Sequence, residues 1–313
     1  MKIRKIISKK QGSEKVLKNI KRFMMAIFSN PIVTKEIKQR TRGLKFSFTI
    51  AGWLLLMTLF TIMFLTSYAK PVVVVSSYRG FFTTFCILLI FLFAGFFGLL
   101  VVILSSQAIA KEKENQTLDI LLSTPLTNFE IVVGKMIAAA GEAVILFFSA
   151  VPILVLLYFY GITSMGNILL IMLYVFVLIL FYGSLSLLLS TVIKKSIAAT
   201  VIVVSIVIAS TIFSYFIFLT GAQVLVANSP QPGKAQNFWS LISISLSSAF
   251  SLIELISIRL NSAPAAFFQY SYKIKGYQIH LIICIVGTIL NIYLSALFLS
   301  PLRRIRIFRR KSN

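Results

Sequence analysis

Six stretches of this chain, each longer than twenty residues, contain among them a single charged side chain, Glu142. They lie at 46–68, 81–108, 137–160, 167–192, 197–219 and 277–299. A helix needs about 20 apolar residues to cross the hydrocarbon layer. Water-soluble domains are about a quarter charged, whereas only 12% of these 313 residues carry charge and 58% are hydrophobic. The backbone inside a bilayer must satisfy its own hydrogen bonds, which leaves helical bundles and closed barrels. A barrel would show short alternating segments, and none stands out. The expected fold is an all-α integral membrane protein with six transmembrane helices.

A seventh apolar stretch, at 238–258, is long enough to cross but carries seven serines and Glu254. If it crossed, the basic residues of the tail (300–313) would fall on the opposite side from the other basic segments. The expectation is therefore a re-entrant or surface helix pair, within an extracellular insertion at 220–276, buried against protein.

Charge sets the orientation. Of the 31 Lys and Arg residues, 25 lie in residues 1–45, the 109–135 loop, the Lys194-Lys195 turn and the tail, against 6 on the other side. Basic segments stay inside, so both termini are expected to be cytoplasmic. The net charge of +23 follows span ends, as topology signals do, and does not point to nucleic acid. Residues 1–45 form the expected entry region. An amphipathic helix at 16–28 presents Lys15, Lys18, Lys21 and Arg22 on one face, suited to the headgroup layer. Asn30-Pro31 then caps and starts a second basic helix. No cleavable signal peptide is expected, so the first span directs insertion.

Chemistry-bearing residues are few. His280 is expected as a satisfied interfacial residue, and Cys86 and Cys284 as buried free thiols. Eight acids, one histidine and two distant cysteines suggest no metal site. No phosphate-binding Gly-rich loop occurs, so no cofactor is expected on this chain. Glu142 is a carboxylate at membrane depth, and such groups are usually partnered; Lys194 or Lys195 is the expected partner, with a gate or coupling contact as the functional alternative. In span two, Gly95 and Gly98 sit among Phe91, Phe93, Phe96 and Phe97, a composition that reads first as packing and second as a surface for hydrophobic cargo.

The remaining feature is a polar island, residues 105–135. It contains Lys111, Glu112, Lys113, Glu114, Asp119, Glu130 and Lys135, and is expected in water at a membrane face. Its sequence AKEKENQTLDILLSTPLTNFEIVVGK resembles the signature of exporter-type ABC permeases of the type-two family. Glu112-Lys113-Glu114, Thr117-Leu118-Asp119, Leu121-Leu122, Thr124-Pro125-Leu126 and Gly134-Lys135 match its successive parts. Gln116 stands where glycine is usual, which suggests a less sharply bent backbone there. The upstream NPIVTKEIKQRTR is similar to the family's entry helix.

The resemblance implies a permease that pairs with a second permease, identical or related, among membrane lipids in the cell membrane. Each would dock a separate ABC ATPase subunit carrying ATP and Mg. Glu112, Glu114, Thr117, Leu118, Asp119, Leu121, Leu122 and Pro125 would then form the coupling helix. Leu118, Ile120, Leu121 and Leu122 would make an apolar ridge, with Glu112 and Glu114 paired to the ATPase or to Arg40 and Arg42. The cargo implied is amphipathic or hydrophobic. The alternative is a non-transporting sensor or assembly subunit docked to an ATPase; a membrane-embedded enzyme lacks a polar catalytic cluster.

Overall fold

A computed structural model describes residues 31–68, 75–123, 127–149, 151–159, 163–220, 232–260 and 275–299. The helix expected at 16–28, Pro125 and the basic tail lie outside these residues. Apart from short turns the described residues are helical, and they contain no strands. In chain order the helices are α1 (Pro31–Thr41), α2 (Leu44–Tyr68), α3 (Val75–Glu114), α4 (Leu118–Leu122), α5 (Asn128–Ser149), α6 (Val151–Phe159), α7 (Met165–Val192), α8 (Ser196–Thr220), α9 (Pro232–Leu246), α10 (Ser248–Leu260) and α11 (Gly276–Phe298). Six of them, α2, α3, α5, α7, α8 and α11, are long and apolar enough to cross a bilayer. The protein is an all-α membrane bundle with six such helices.

The central packing is α3 against α7. Bilayer lipid gives apolar side chains no reason to leave it, so close approach of small residues and interhelical hydrogen bonds hold such helices together. The seam uses both. A Cβ on Gly183 would lie 3.4 Å from Ser105 Oγ and from Val101 Cγ2. Ser186 Oγ donates to the Val102 carbonyl at 2.7 Å. Ser190 Oγ accepts from the Ala110 and Ile109 N–H groups at 2.7 and 3.1 Å. Asn291 of α11 adds a buried bond to Ser184 of α7 at 3.3 Å. Three phenylalanines of α3 serve packing: Phe93 and Phe97 are buried, and Trp53 of α2 stacks on Phe96 with ring centroids 3.8 Å apart.

Helices α9 and α10 are the apolar stretch at 238–258, bent by 113° at Ser247. Their route is fixed by bonds from α10 to α7. Asn167 Nδ2 donates to the Arg259 carbonyl at 3.2 Å, Tyr174 meets Ser251, and Tyr182 donates to Ser248. Asn167 to Tyr182 is fifteen residues, about 22 Å of helix rise, in a hydrocarbon layer about 30 Å thick. Helix α10 therefore runs antiparallel to α7 and ends beside its start, while Ile244, just before the bend, lies against Gly276 at the start of α11, so the pair enters and leaves by the same end, which makes it re-entrant. The serines explain how a bent backbone survives there. Ser214 of α8 donates to the Ser243 carbonyl, and Ser251 and Ser257 bond backbone carbonyls of their own helix.

Glu254, fully buried, fastens the pair to the last span. Its carboxylate accepts from the Tyr277 N–H at 2.7 Å, in the first turn of α11, where N–H groups lack intrahelical partners. Gly276 makes room for this: a Cβ there would meet Ile244 Cγ2 at 2.5 Å and Glu254 Oε2 at 3.0 Å. His280, expected at an interface, is instead buried in the bundle, its Nδ1 2.8 Å from the Tyr174 hydroxyl. Cys284 is a buried free thiol, as expected; the Cys86 side chain lies outside the described residues.

Candidate functional site: an ionic elbow at one end of the bundle

The end of α3, the start of α5, the end of α7, the start of α8 and the end of α11 meet at one end of the bundle, opposite the mouth of the re-entrant pair. The polar island is here, and most of it is helix. Span two runs on through Glu114, and span three begins at Asn128, nine residues ahead of the expected 137. The early start has a local cause legible in the sequence as Thr127-x-x-Glu130. The Thr127 N–H donates to Glu130 Oε2 at 2.8 Å, and the Glu130 N–H donates to Thr127 Oγ1 at 3.3 Å, a reciprocal capping box.

Helix α3 ends on a left-handed residue. Gln116 has φ of 60°, the Gln116 N–H bonds the Lys113 carbonyl at 3.3 Å, and the Thr117 N–H bonds the Glu112 carbonyl at 2.9 Å. These are the two bonds of a Schellman ending. The sequence suggested a gentler bend because glutamine replaces glycine; the backbone turns just as sharply, at a conformational cost that glycine would not carry.

After the turn comes α4, a single five-residue helix. Leu118, Leu121 and Leu122 are half-buried, packed on the cluster of Ile109, Ile131, Val132 and Leu187. Outward stand Thr117, Asp119 and Ser123, with Ile120 70% exposed. The expected four-residue apolar ridge is therefore split. Three leucines pack α4 on its own bundle, and Ile120 stands out from it. The reason is spacing: positions three and four apart share a helix face, so 118, 121 and 122 face together, away from 120.

Beneath the elbow runs a chain of charges. Lys135 of α5, expected in water, is 2% exposed. Its Nζ donates to Glu112 Oε1 of α3 at 2.7 Å and to Glu36 Oε1 of α1 at 2.9 Å. Arg40 of α1 lies 3.7 Å from Glu36 and 3.6 Å from Glu142 of α5. Two expected pairings are corrected: Glu142 meets Arg40, not Lys194 or Lys195, and Glu112 meets Lys135, not Arg40 or Arg42. The cause is that α1 lies along α5, with Ile37 set over Gly141, where a Cβ would be 3.4 Å from Ile37 Cδ1. That docking carries Glu36 and Arg40 to the buried charges.

The outer side of the elbow is tied as well. Ser196 Oγ donates to Glu114 Oε2 at 3.0 Å. Lys113 Nζ donates to the Thr191 carbonyl, a cation on the last carbonyls of α7, where the helix dipole favours it. Among the described residues no group of three or more His, Cys, Asp or Glu could hold a metal ion. The arrangement joins α1, α3, α5, α7 and α8 through polar contacts at one end, and leaves Asp119 and Ile120 projecting.

No curated protein matches the chain. The family model described as ABC-2 family transporter protein matches residues 7–309, nearly the whole sequence and every helix described above. The chain belongs to the ABC-2 family of transporters and is a membrane permease of that family.

Proposed function

We propose that this permease is the transmembrane half of an ATP-driven exporter and that the α3–α4–α5 elbow receives a separate ABC ATPase subunit. The observation that carries this reading is the split of α4. Three leucines hold it rigidly to the bundle, while Asp119 and an exposed Ile120 project from the end. An apolar side chain on a polar tip is the kind of anchor a partner's pocket takes up. The ionic chain behind it gives a push on α4 a path into α1 and α5. ATP and Mg belong on the partner, the cargo is amphipathic or hydrophobic, and a second permease completes the assembly. On this reading the elbow and both termini are cytoplasmic.

The test is Ile120→Asp in the assembled transporter. A charge in a partner's apolar pocket should lower ATPase association by roughly tenfold or more, with the permease as heat-stable as before because Ile120 touches little of its own bundle. Leu121→Asp is the contrasting variant and should destabilise the permease itself. Undiminished association and ATPase stimulation with Ile120→Asp would place the docking surface elsewhere.

A further inference from the structure

Helices α3, α7 and α8 part around the apex of the re-entrant pair and leave a cavity of about 440 Å³. Gly95, Gly98, Leu99, Ile208, Tyr182 and Ser248 are among the residues that line it. The lining is almost wholly apolar, and the Tyr182 hydroxyl is already committed to Ser248. A water needs two to four polar partners, so water does not fill the space. Left empty, its walls forfeit their dispersion contacts. Leu99 and Ile208, on two walls, are 53% and 54% exposed, so the cavity opens between α3 and α8, within the apolar length of both spans.

Size separates the occupants. An α-helix with side chains is about 10 Å across and rises 5.4 Å per turn, so the space admits about one turn of a neighbouring helix. A cavity of about 150 Å³ holds one benzene ring. Three such volumes hold a flexible chain of roughly fifteen carbons. We propose that this cavity is a binding site for one acyl tail of a bilayer lipid, which enters between α3 and α8 and lies against the re-entrant apex. The site is separate from the elbow, and its occupancy is read on the permease without the ATPase.

The experiment uses the full-length permease in nanodiscs containing phosphatidylglycerol with a diazirine near the end of one acyl chain. Adducts are mapped after illumination. They should concentrate on residues 91–102 and 204–211, above the level on Ile285 and Ile289, which are exposed on α11. Gly95→Leu and Gly98→Leu grow into the cavity: a Cβ at Gly95 meets nothing within 4 Å, and at Gly98 first meets Tyr182 at 4.0 Å. Each fills room for about four carbons, so cavity adducts should fall about tenfold or more, with α11 labelling unchanged and thermal unfolding preserved in at least Gly95→Leu. Adducts that follow surface exposure alone, alike in wild type and Gly95→Leu, would mean annular lipid only and overturn the proposal. A disulfide-linked dimer through Leu99→Cys that abolishes cavity labelling would assign the space to a second copy and overturn it equally.

Discussion

Gln116 holds a backbone conformation that costs an L-residue about 1–2 kcal/mol, and it does so at the joint between the longest helix and the elbow. Gln116→Gly removes the Cβ responsible. Offset by the greater freedom of glycine in the unfolded chain, the change should raise stability by about 1 kcal/mol, seen as a higher unfolding temperature in detergent; an unchanged or lower temperature would show that the turn is unstrained. Lys135 poses the complementary case. It is buried between two carboxylates, and removing one partner of a buried ionic group costs about 3 kcal/mol. Lys135→Met should lose that much stability and release α1 from α5. Lys135→Arg keeps the charge and should recover most of it, as read by protease sensitivity near residue 42. The carboxylates of Glu36 and Glu112 were visible in the sequence, but 99 residues separate Glu36 from Lys135. Nothing local in either segment says that they meet.

At the scale of elements, the informative comparison is between the two ends of the island. Its start in Schellman geometry and its end in a capping box are both local, so both are written in short windows: Thr127-x-x-Glu130 is a plain helix-start signal, and Gln116 hid the turn only by not being glycine. The direction of the α4 leucines was also open to a helical-face argument, since 118, 121 and 122 share a side. What a window cannot hold is how helices lie on α5: the docking of α1 there decided the Glu142–Arg40 pair, and the packing of α3 there decided Glu112–Lys135. The re-entrant pair was legible from its serines and its glutamate, because neither composition suits a helix facing lipid. Its attachment to α11 is testable at Gly276. A methyl group 2.5 Å from Ile244 forces the two helices apart, so Gly276→Ala should destabilise by about 2 kcal/mol and lower expression in the membrane. If Gly276→Ala unfolds at the wild-type temperature, α9 and α10 are not clamped as described.

For the whole molecule, hydropathy carried most of the fold, since a bilayer enforces a span length and forbids unpaired backbone. It could not say how spans pack, because every face of an apolar helix looks alike in composition; the α3–α7 seam rests on Gly183 and a few serines that the apolar background concealed. The six-crossing arrangement puts Ser123 and Gln278, both exposed, on opposite sides. In a background with Cys86→Ser and Cys284→Ser, Ser123→Cys should react with an impermeant maleimide only from the side that presents the elbow. Gln278→Cys should react only from the other. Reaction of both from one face would mean that the bent pair crosses after all.

The 40 residues of α3 form one helix, about 60 Å long at 1.5 Å per residue, roughly twice the thickness of the hydrocarbon it crosses. Ser186 and Ser190 of α7 hold this helix at Val102, Ile109 and Ala110, nearer the elbow than the far end, so that if α3 tilted as one unit about those bonds, Val75 would swing farther than Glu114 and in the opposite direction.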